Sequence, residues 1–170
     1  MLVHSFPPAI NANCRVLILG SMPGRRSLEM QQYYAHPQNL FWPFMSAIFN
    51  IPADTTYPDR LVLMQQYGVG IWDVLKECFR AGSLDGDITE NSIVANDFGS
   101  LFAHAPHIHH IFFNGSKAEQ AFRRHVLKQQ AIPARLQFHK LPSTSPANAS
   151  IKKEVKLAQW RQIAAATLMV

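Results

Sequence analysis

Four short apolar runs divide this chain, and the stretches between them are long enough to hold a helix each. Arg15–Leu19, Val69–Trp72, Ile108–Phe113 and Arg135–Leu141 each read as a strand. Arg15–Leu19 is apolar nearly throughout, the composition of a strand covered on both faces. Strand–helix alternation with crossovers of this length predicts an α/β fold with a parallel sheet between helices. Helices are expected over Asn39–Phe49, Asp59–Tyr67 (closed by Gly68), Asn96–Phe102, Ser116 to about Lys128, and Ile151–Leu168. Asn39 is placed to cap the first of these, with Pro43 in its early turn. Ser116 and Glu119 have capping-box spacing. Leu157, Trp160, Ala164 and Leu168 share one face of the last. Ala81–Ile93 has the Gly, Ser and Asp content of a loop. With no repeat or low-complexity linker, the 170 residues read as one domain, 1–170, with a sizeable core.

In open parallel sheets, ligands bind at the carboxyl ends of the strands. Here all four strand ends are polar. The first strand runs into Gly20-Ser21-Met22-Pro23-Gly24, and the fourth into Leu141–Ser150 (LPSTSPANAS). Asp73 follows the second strand and Asn114 the third. The Gly- and Ser-rich stretches can expose backbone N–H groups and small hydroxyls to an anion. Between Gly20 and Trp42 the chain adds Tyr33, Tyr34, His36 and Asn39, which suggests a pocket for a flat ring beside a phosphate.

Other motifs narrow the chemistry. Gly20–Gly24 lacks the spacing of a triphosphate loop or a dinucleotide fingerprint, and the Gly-x-Ser-x-Gly of a hydrolase nucleophile elbow is absent. Its glycines serve a close backbone approach or a tight turn. Tyr34 is either a core ring or a stacking platform, and single-strand binders gain ~1–3 kcal/mol per stacked base. Asn39 can cap a helix or hold a water, and Asp73 can face a ligand or cap a helix starting at Val74. His104, His107, His109 and His110 lack an Asp, Glu or Cys at ligand spacing, so they read as ordinary imidazoles and not as a metal site. Cys14 and Cys78 form neither a disulfide framework nor a Cys-x-x-Cys pair. No cofactor and no metal is expected.

Net charge is +5 and the sequence pI about 9.5, which favours an acidic partner such as nucleic acid. Arg25, Arg26, Lys140, Lys152, Lys153 and Lys156 flank the two polar stretches. No apolar run spans a bilayer and Met1 opens no signal-peptide pattern, so a cytoplasmic monomer without membrane contact is expected.

Taken together, GSMPGRRS, YYAHPQNLFW, GVGIWDVL, IFFNG and LPSTSPANAS resemble, in order, the motifs of the uracil-DNA glycosylase superfamily. The nearest likeness is to its hypoxanthine-DNA (deoxyinosine) glycosylase family, from about Val16 to Trp160. The resemblance implies a three-layer α/β/α sandwich around a four-stranded parallel sheet. It also implies base flipping and hydrolysis of an N-glycosidic bond without metal. Gly20, Ser21, Met22 and Gly24 match the motif that faces the flipped nucleotide. Met22 stands where uracil and mismatch enzymes carry a water-positioning Asp or Asn, a role Met cannot fill. In the hypoxanthine family the Asn of Ala-His-Pro-x-Asn is linked to catalysis, and here it is Asn39. Tyr34 matches the stacking ring. Asp73 matches the base-reading Asn of uracil-specific members, and Asn114 the Asn of Phe-Asn-Gly. Arg25 and the loop residues Ser143, Thr144 and Ser145, then Pro146, Ala147 and Asn148, are implied DNA contacts.

These residues suggest a monofunctional DNA-deoxyinosine glycosylase of base excision repair, with damaged DNA as partner. A weakly paired deoxyinosine flips out at lower cost than a well-paired base. Asn39 orients the attacking water and His36 is a candidate donor to the leaving base. An ionised Asp73 can only accept, so it is expected to take the ring N–H while Asn114 donates to the carbonyl. Three alternatives stay open: a uracil or mismatch glycosylase, a non-catalytic DNA-binding member of the fold, and a small-molecule nucleosidase.

Overall fold

The computed structural model describes residues 1–168. Four of its strands form the expected parallel sheet: β2 (Val16–Gly20), β3 (Val69–Asp73), β6 (His110–Asn114) and β7 (Gln137–Leu141), in the order β3-β2-β6-β7. Alternate side chains of β2 enter opposite cores. Val16 and Ile18 pack with Phe41, Phe44, Met45, Met64 and Trp160, while Leu17 and Leu19 pack with Trp72, Phe98, Phe102 and Phe122. That division gives the three layers: α2 (Phe41–Phe49), α3 (Tyr57–Gln66), α6 (Lys153–Trp160) and α7 (Gln162–Leu168) contribute to one core, α4 (Phe98–His104) and α5 (Ser116–Phe122) to the other.

The second sheet was not legible in the sequence. β1 (Leu2–His4), β4 (Leu75–Phe79) and β5 (Val94–Ala95) form an antiparallel three-stranded sheet in the order β1-β4-β5. Its buried members Val3, Leu75 and Cys78 join the Leu17/Leu19 core. A helix starting at Val74 is therefore overturned: Val74 N donates to Gly20 O at 2.8 Å and the chain continues as β4. A short helix over Arg25–Met30 (α1) is likewise additional.

Four local expectations change. The Ser116/Glu119 capping box does not form, because the cap position is Gly115, at φ 92°, and carries no side chain; Glu119 instead stands 3.6 Å from Arg123. After Phe122 the helix widens into a π-helical turn over Arg123–Leu127, where Arg124 and His125 reach back with Lys117 to Glu90. The last helix starts at Lys153 and breaks at Arg161, which shifts the buried stripe by one position. Beyond the break Ile163, Ala166 and Thr167 are buried, while Leu168 is exposed. Asn39 lies just outside α2, where its Oδ1 accepts from Phe41 N at 2.9 Å in place of the regular cap at Leu40.

Candidate functional site

The carboxyl ends of β2, β3, β6 and β7 open into one cavity of about 310 Å³. The register explains the convergence: Gly20 lies beside Asp73, and Asn114 beside Leu141. The Gly20–Ser27 stretch forms one wall, Tyr33–Asn39 a second, and Ser143–Ala147 a third. Of the residues expected to meet the base, the water or the loop's DNA contacts, from Gly20 to Asn148, all but Asn148 line it.

Gly20 is required by its neighbours. A Cβ built there would lie 2.6 Å from Asp73 Oδ1 and 3.2 Å from the Tyr34 hydroxyl. The missing side chain is what lets those two groups share the floor of the cavity. Asp73 is 4% exposed and its Oδ2 has no hydrogen-bond partner; the Tyr34 hydroxyl is also buried without one. Unpaired buried polar atoms are rare and disfavoured unless something else satisfies them. Burial first, and then the negative charge of Asp85, push the Asp73 carboxyl up to about 7, with Arg80 opposing.

Tyr34 has a left-handed backbone, φ 56°, a conformation that costs a non-glycine residue on the order of 1–3 kcal/mol. The bonds on either side hold it there. Tyr33 O accepts from Trp42 Nε1 at 2.9 Å, Tyr33 N donates to the Tyr57 hydroxyl at 2.9 Å, and Ala35 N donates to Ser27 Oγ at 3.1 Å. The Tyr34 ring stacks on Phe41 with centroids 4.0 Å apart, which commits one face of the platform. His36 Nδ1 accepts from Gln38 N at 3.1 Å. The proton of the neutral ring therefore sits on Nε2. Asn39 is half-buried, and its Oδ1 keeps a second lone pair beyond the bond to Phe41 N.

Asn114 is also tied to a neighbouring wall. Its Oδ1 accepts from Thr144 N at 3.0 Å and its Nδ2 donates to Thr144 Oγ1 at 2.9 Å. Both ends of the amide are bound to the fourth strand's loop, and the second N–H of Nδ2 is left for another acceptor. The same loop is held from behind. Lys156, one of the cations that flank the two polar stretches in sequence, is 2% exposed; its ammonium donates to Ser143 O at 2.8 Å and to Asn148 O. Trp160 Nε1 donates to Pro142 O at 2.8 Å. Burial holds the Lys156 amine below its ordinary range. Met22 is buried and joins the Leu17/Leu19 core while still touching the cavity.

One wall was missed. Ser83, Leu84 and Asp85, from the stretch read only as a loop, fold over the mouth. Ser21 Oγ donates to Asp85 Oδ1 at 2.5 Å, and Arg25 N donates to Ser83 Oγ at 2.9 Å. These contacts link residues more than fifty positions apart, and no local pattern announces them. The His run assembles no site: His109 Nδ1 lies 2.7 Å from His107 O, and His110 Nδ1 lies 3.0 Å from His139 Nε2 on the sheet. Among the described residues, no group of three or more His, Cys, Asp or Glu is placed to hold a metal ion, and no helix is long and apolar enough to cross a membrane.

Comparison with known proteins converges on one group. The sequence model of the uracil DNA glycosylase superfamily matches residues 7–167. A hypoxanthine DNA glycosylase of Methanosarcina acetivorans is 34% identical over 164 residues, 96% of this chain and 98% of that one. A hypoxanthine DNA glycosylase of Methanosarcina barkeri is 38% identical over 119 residues, 69% of this chain and 74% of that one. A solution NMR structure from Methanosarcina acetivorans, described as a candidate uracil DNA glycosylase, superposes with a TM-score of 0.80 at 31% identity, covering 99% of this chain and 100% of that one.

Proposed function

The chain belongs to the uracil DNA glycosylase superfamily, and from that premise we propose that it is a monofunctional DNA glycosylase that hydrolyses the N-glycosidic bond of deoxyinosine in DNA. One observation carries the reading. A strand-end cavity of about 310 Å³, floored by unpaired polar atoms of Asp73 and Tyr34, lies in a chain alike over nearly its whole length to a hypoxanthine DNA glycosylase. Such a floor suits a flat base with a polar edge.

Arg25 and Arg26, exposed at the mouth, together with Gly24 and the Ser143–Asn148 loop, take the DNA backbone. The flipped base enters between the Gly20–Met22 wall and Tyr34, whose ring covers it while Phe41 supports the ring from the other side. As the glycosidic bond lengthens, positive charge develops on the sugar and the DNA phosphates stabilise it. The water that attacks the anomeric carbon is held by Asn39 Oδ1, whose bond to Phe41 N fixes the amide plane. His36, whose Nδ1 is taken by Gln38 N, offers Nε2–H as the donor to the departing base. Asn114 serves as a brace for Thr144. The protein acts as a single 1–170 domain and as a monomer.

The test is base release from oligonucleotides carrying deoxyinosine, deoxyuridine or deoxyxanthosine, with chelator present, read as alkali-sensitive breaks. Release at deoxyinosine that disappears in Asn39→Ala, with DNA affinity retained, is the expected result. Release only at deoxyuridine would move the protein to a uracil activity. Intact DNA binding without release from any substrate would make it a non-catalytic member of the fold.

A further inference from the structure

The carboxyl group at the cavity floor does not stand alone. Asp73 Oδ2 is buried without a partner, and the Tyr34 hydroxyl beside it is also unpaired. Neither group bonds to the other, although both lean over Gly20. At the end of the same strand, Ser21 Oγ binds a second carboxylate, Asp85, delivered by the loop between β4 and β5. That loop is fixed on both sides of Asp85: Arg80 Nε donates to Gly82 O at 2.8 Å, and Leu84 N donates to Asp87 Oδ2 at 3.2 Å. Asp85 is exposed, whereas Asp73 is enclosed. Two nearby carboxyl groups in unlike surroundings divide into an ionised member and a protonated one.

We propose that Asp85 is a positioning residue that keeps Asp73 in the carboxylic acid form, and that this acid reads the base edge, its O–H donating to the purine carbonyl and its C=O accepting from the adjacent ring N–H. The inference rests on the function proposed above. A neutral acid presents one donor and one acceptor side by side, as an amide does. That is the complement of the carbonyl and N–H of hypoxanthine.

The charges around Asp73 support this state. Asp85 is the negative neighbour and Arg80 the positive one, and the first outweighs the second. Tyr33, Tyr34 and Tyr57 stay neutral, because burial raises their hydroxyls. Arg25, Arg26 and His36 also line the cavity.

The experiment is single-turnover release of hypoxanthine from a deoxyinosine oligonucleotide, from about pH 5.5 to about pH 9, for wild type, Asp85→Asn and Asp73→Asn. An Asn at position 85 still accepts from Ser21 Oγ but carries no charge. The wild-type rate is expected to fall as pH rises through about 7, where Asp73 loses its proton. In Asp85→Asn the falling limb moves to lower pH, so that near pH 7.5 the rate drops by about threefold or more relative to wild type. In Asp73→Asn the limb disappears. A wild-type rate that rises with pH, or a limb that stays in place in Asp85→Asn, would overturn the inference while leaving deoxyinosine excision intact. Absence of release by wild type would overturn the proposed function instead. The state of Asp73 would then be read directly, from its ¹³C carboxyl titration in the free protein. A midpoint that drops in Asp85→Asn upholds the role of Asp85, and an unmoved midpoint refutes it.

Discussion

Replacing Lys156, which lies behind the cavity, by Met should loosen the Ser143–Asn148 loop that forms its third wall. Met fills much of the lysine stem's volume, so the change removes the ammonium and little packing. Two hydrogen bonds are lost, to Ser143 O and Asn148 O, which lie at the two ends of the turn. Bonds to a charged donor contribute ~1.5–3 kcal/mol each, a gross loss of ~3–6 kcal/mol. Two effects reduce it: the buried ammonium no longer has to be desolvated, and the half-exposed carbonyls can turn to water. A net loss of about 2 kcal/mol is expected, read as a lower urea midpoint with an unchanged slope. The local signature is faster hydrogen exchange at the Thr144, Ser145 and Ala147 amides, which now bond within the loop or to Asn114. On deoxyinosine oligonucleotides, KM should rise more than kcat falls, because the loop holds substrate and performs no bond breaking. A Lys156→Met protein within ~0.5 kcal/mol of wild type, with unchanged loop exchange, would refute the clasp.

Two further predictions concern the sheet and the floor. His110 and His139 stack with ring centroids 5.3 Å apart, and burial holds both below the ordinary histidine range. The unfolded chain then binds protons more readily, so stability is complete above about 6.5 and declines as pH falls through that value. The urea midpoint should be lower near pH 5.5 than near pH 7.5, and His139→Asn should shrink the difference; equal midpoints in wild type would contradict this. Gly20→Ala should push its Cβ against Asp73 Oδ1, 2.6 Å away, lowering stability by ~1–3 kcal/mol and deoxyinosine excision by at least about tenfold; an active, equally stable variant would show that the floor yields.

The sequence carried the sheet because β2, β3 and β6 are mostly apolar runs closed by polar turns, a signal written in neighbouring residues, with the more polar edge strand β7 following at the same spacing. It carried the cavity because all four strand ends lie at one edge, so Gly20, Asp73, Asn114 and Leu141 could be placed together before any coordinates. What it did not carry depends on distant partners. β4 buries Leu75 and Cys78, three residues apart across a register shift, so it lacks a strand's alternation and Leu75–Phe79 needs β1 and β5 to be recognised as part of a sheet. Asp85 lies in a stretch of turn-forming residues, and only its bond to Ser21 marks it as part of the site. Lys156 carries the same charge as its solvent-facing neighbours Lys152 and Lys153, and nothing local tells that its amine is turned inward. Asn114 was found by position, but its bonds to Thr144, 30 residues away, leave no local mark.

The most direct measurement is mass-spectrometric detection of the free base after wild-type protein and Asn39→Ala are each incubated, in enzyme excess, with an oligonucleotide carrying a single deoxyinosine. The account predicts free hypoxanthine in a one-to-one ratio with abasic sites for wild type, and none from Asn39→Ala although that variant still binds the oligonucleotide. An intact oligonucleotide with wild type, or undiminished hypoxanthine release by Asn39→Ala, would contradict it.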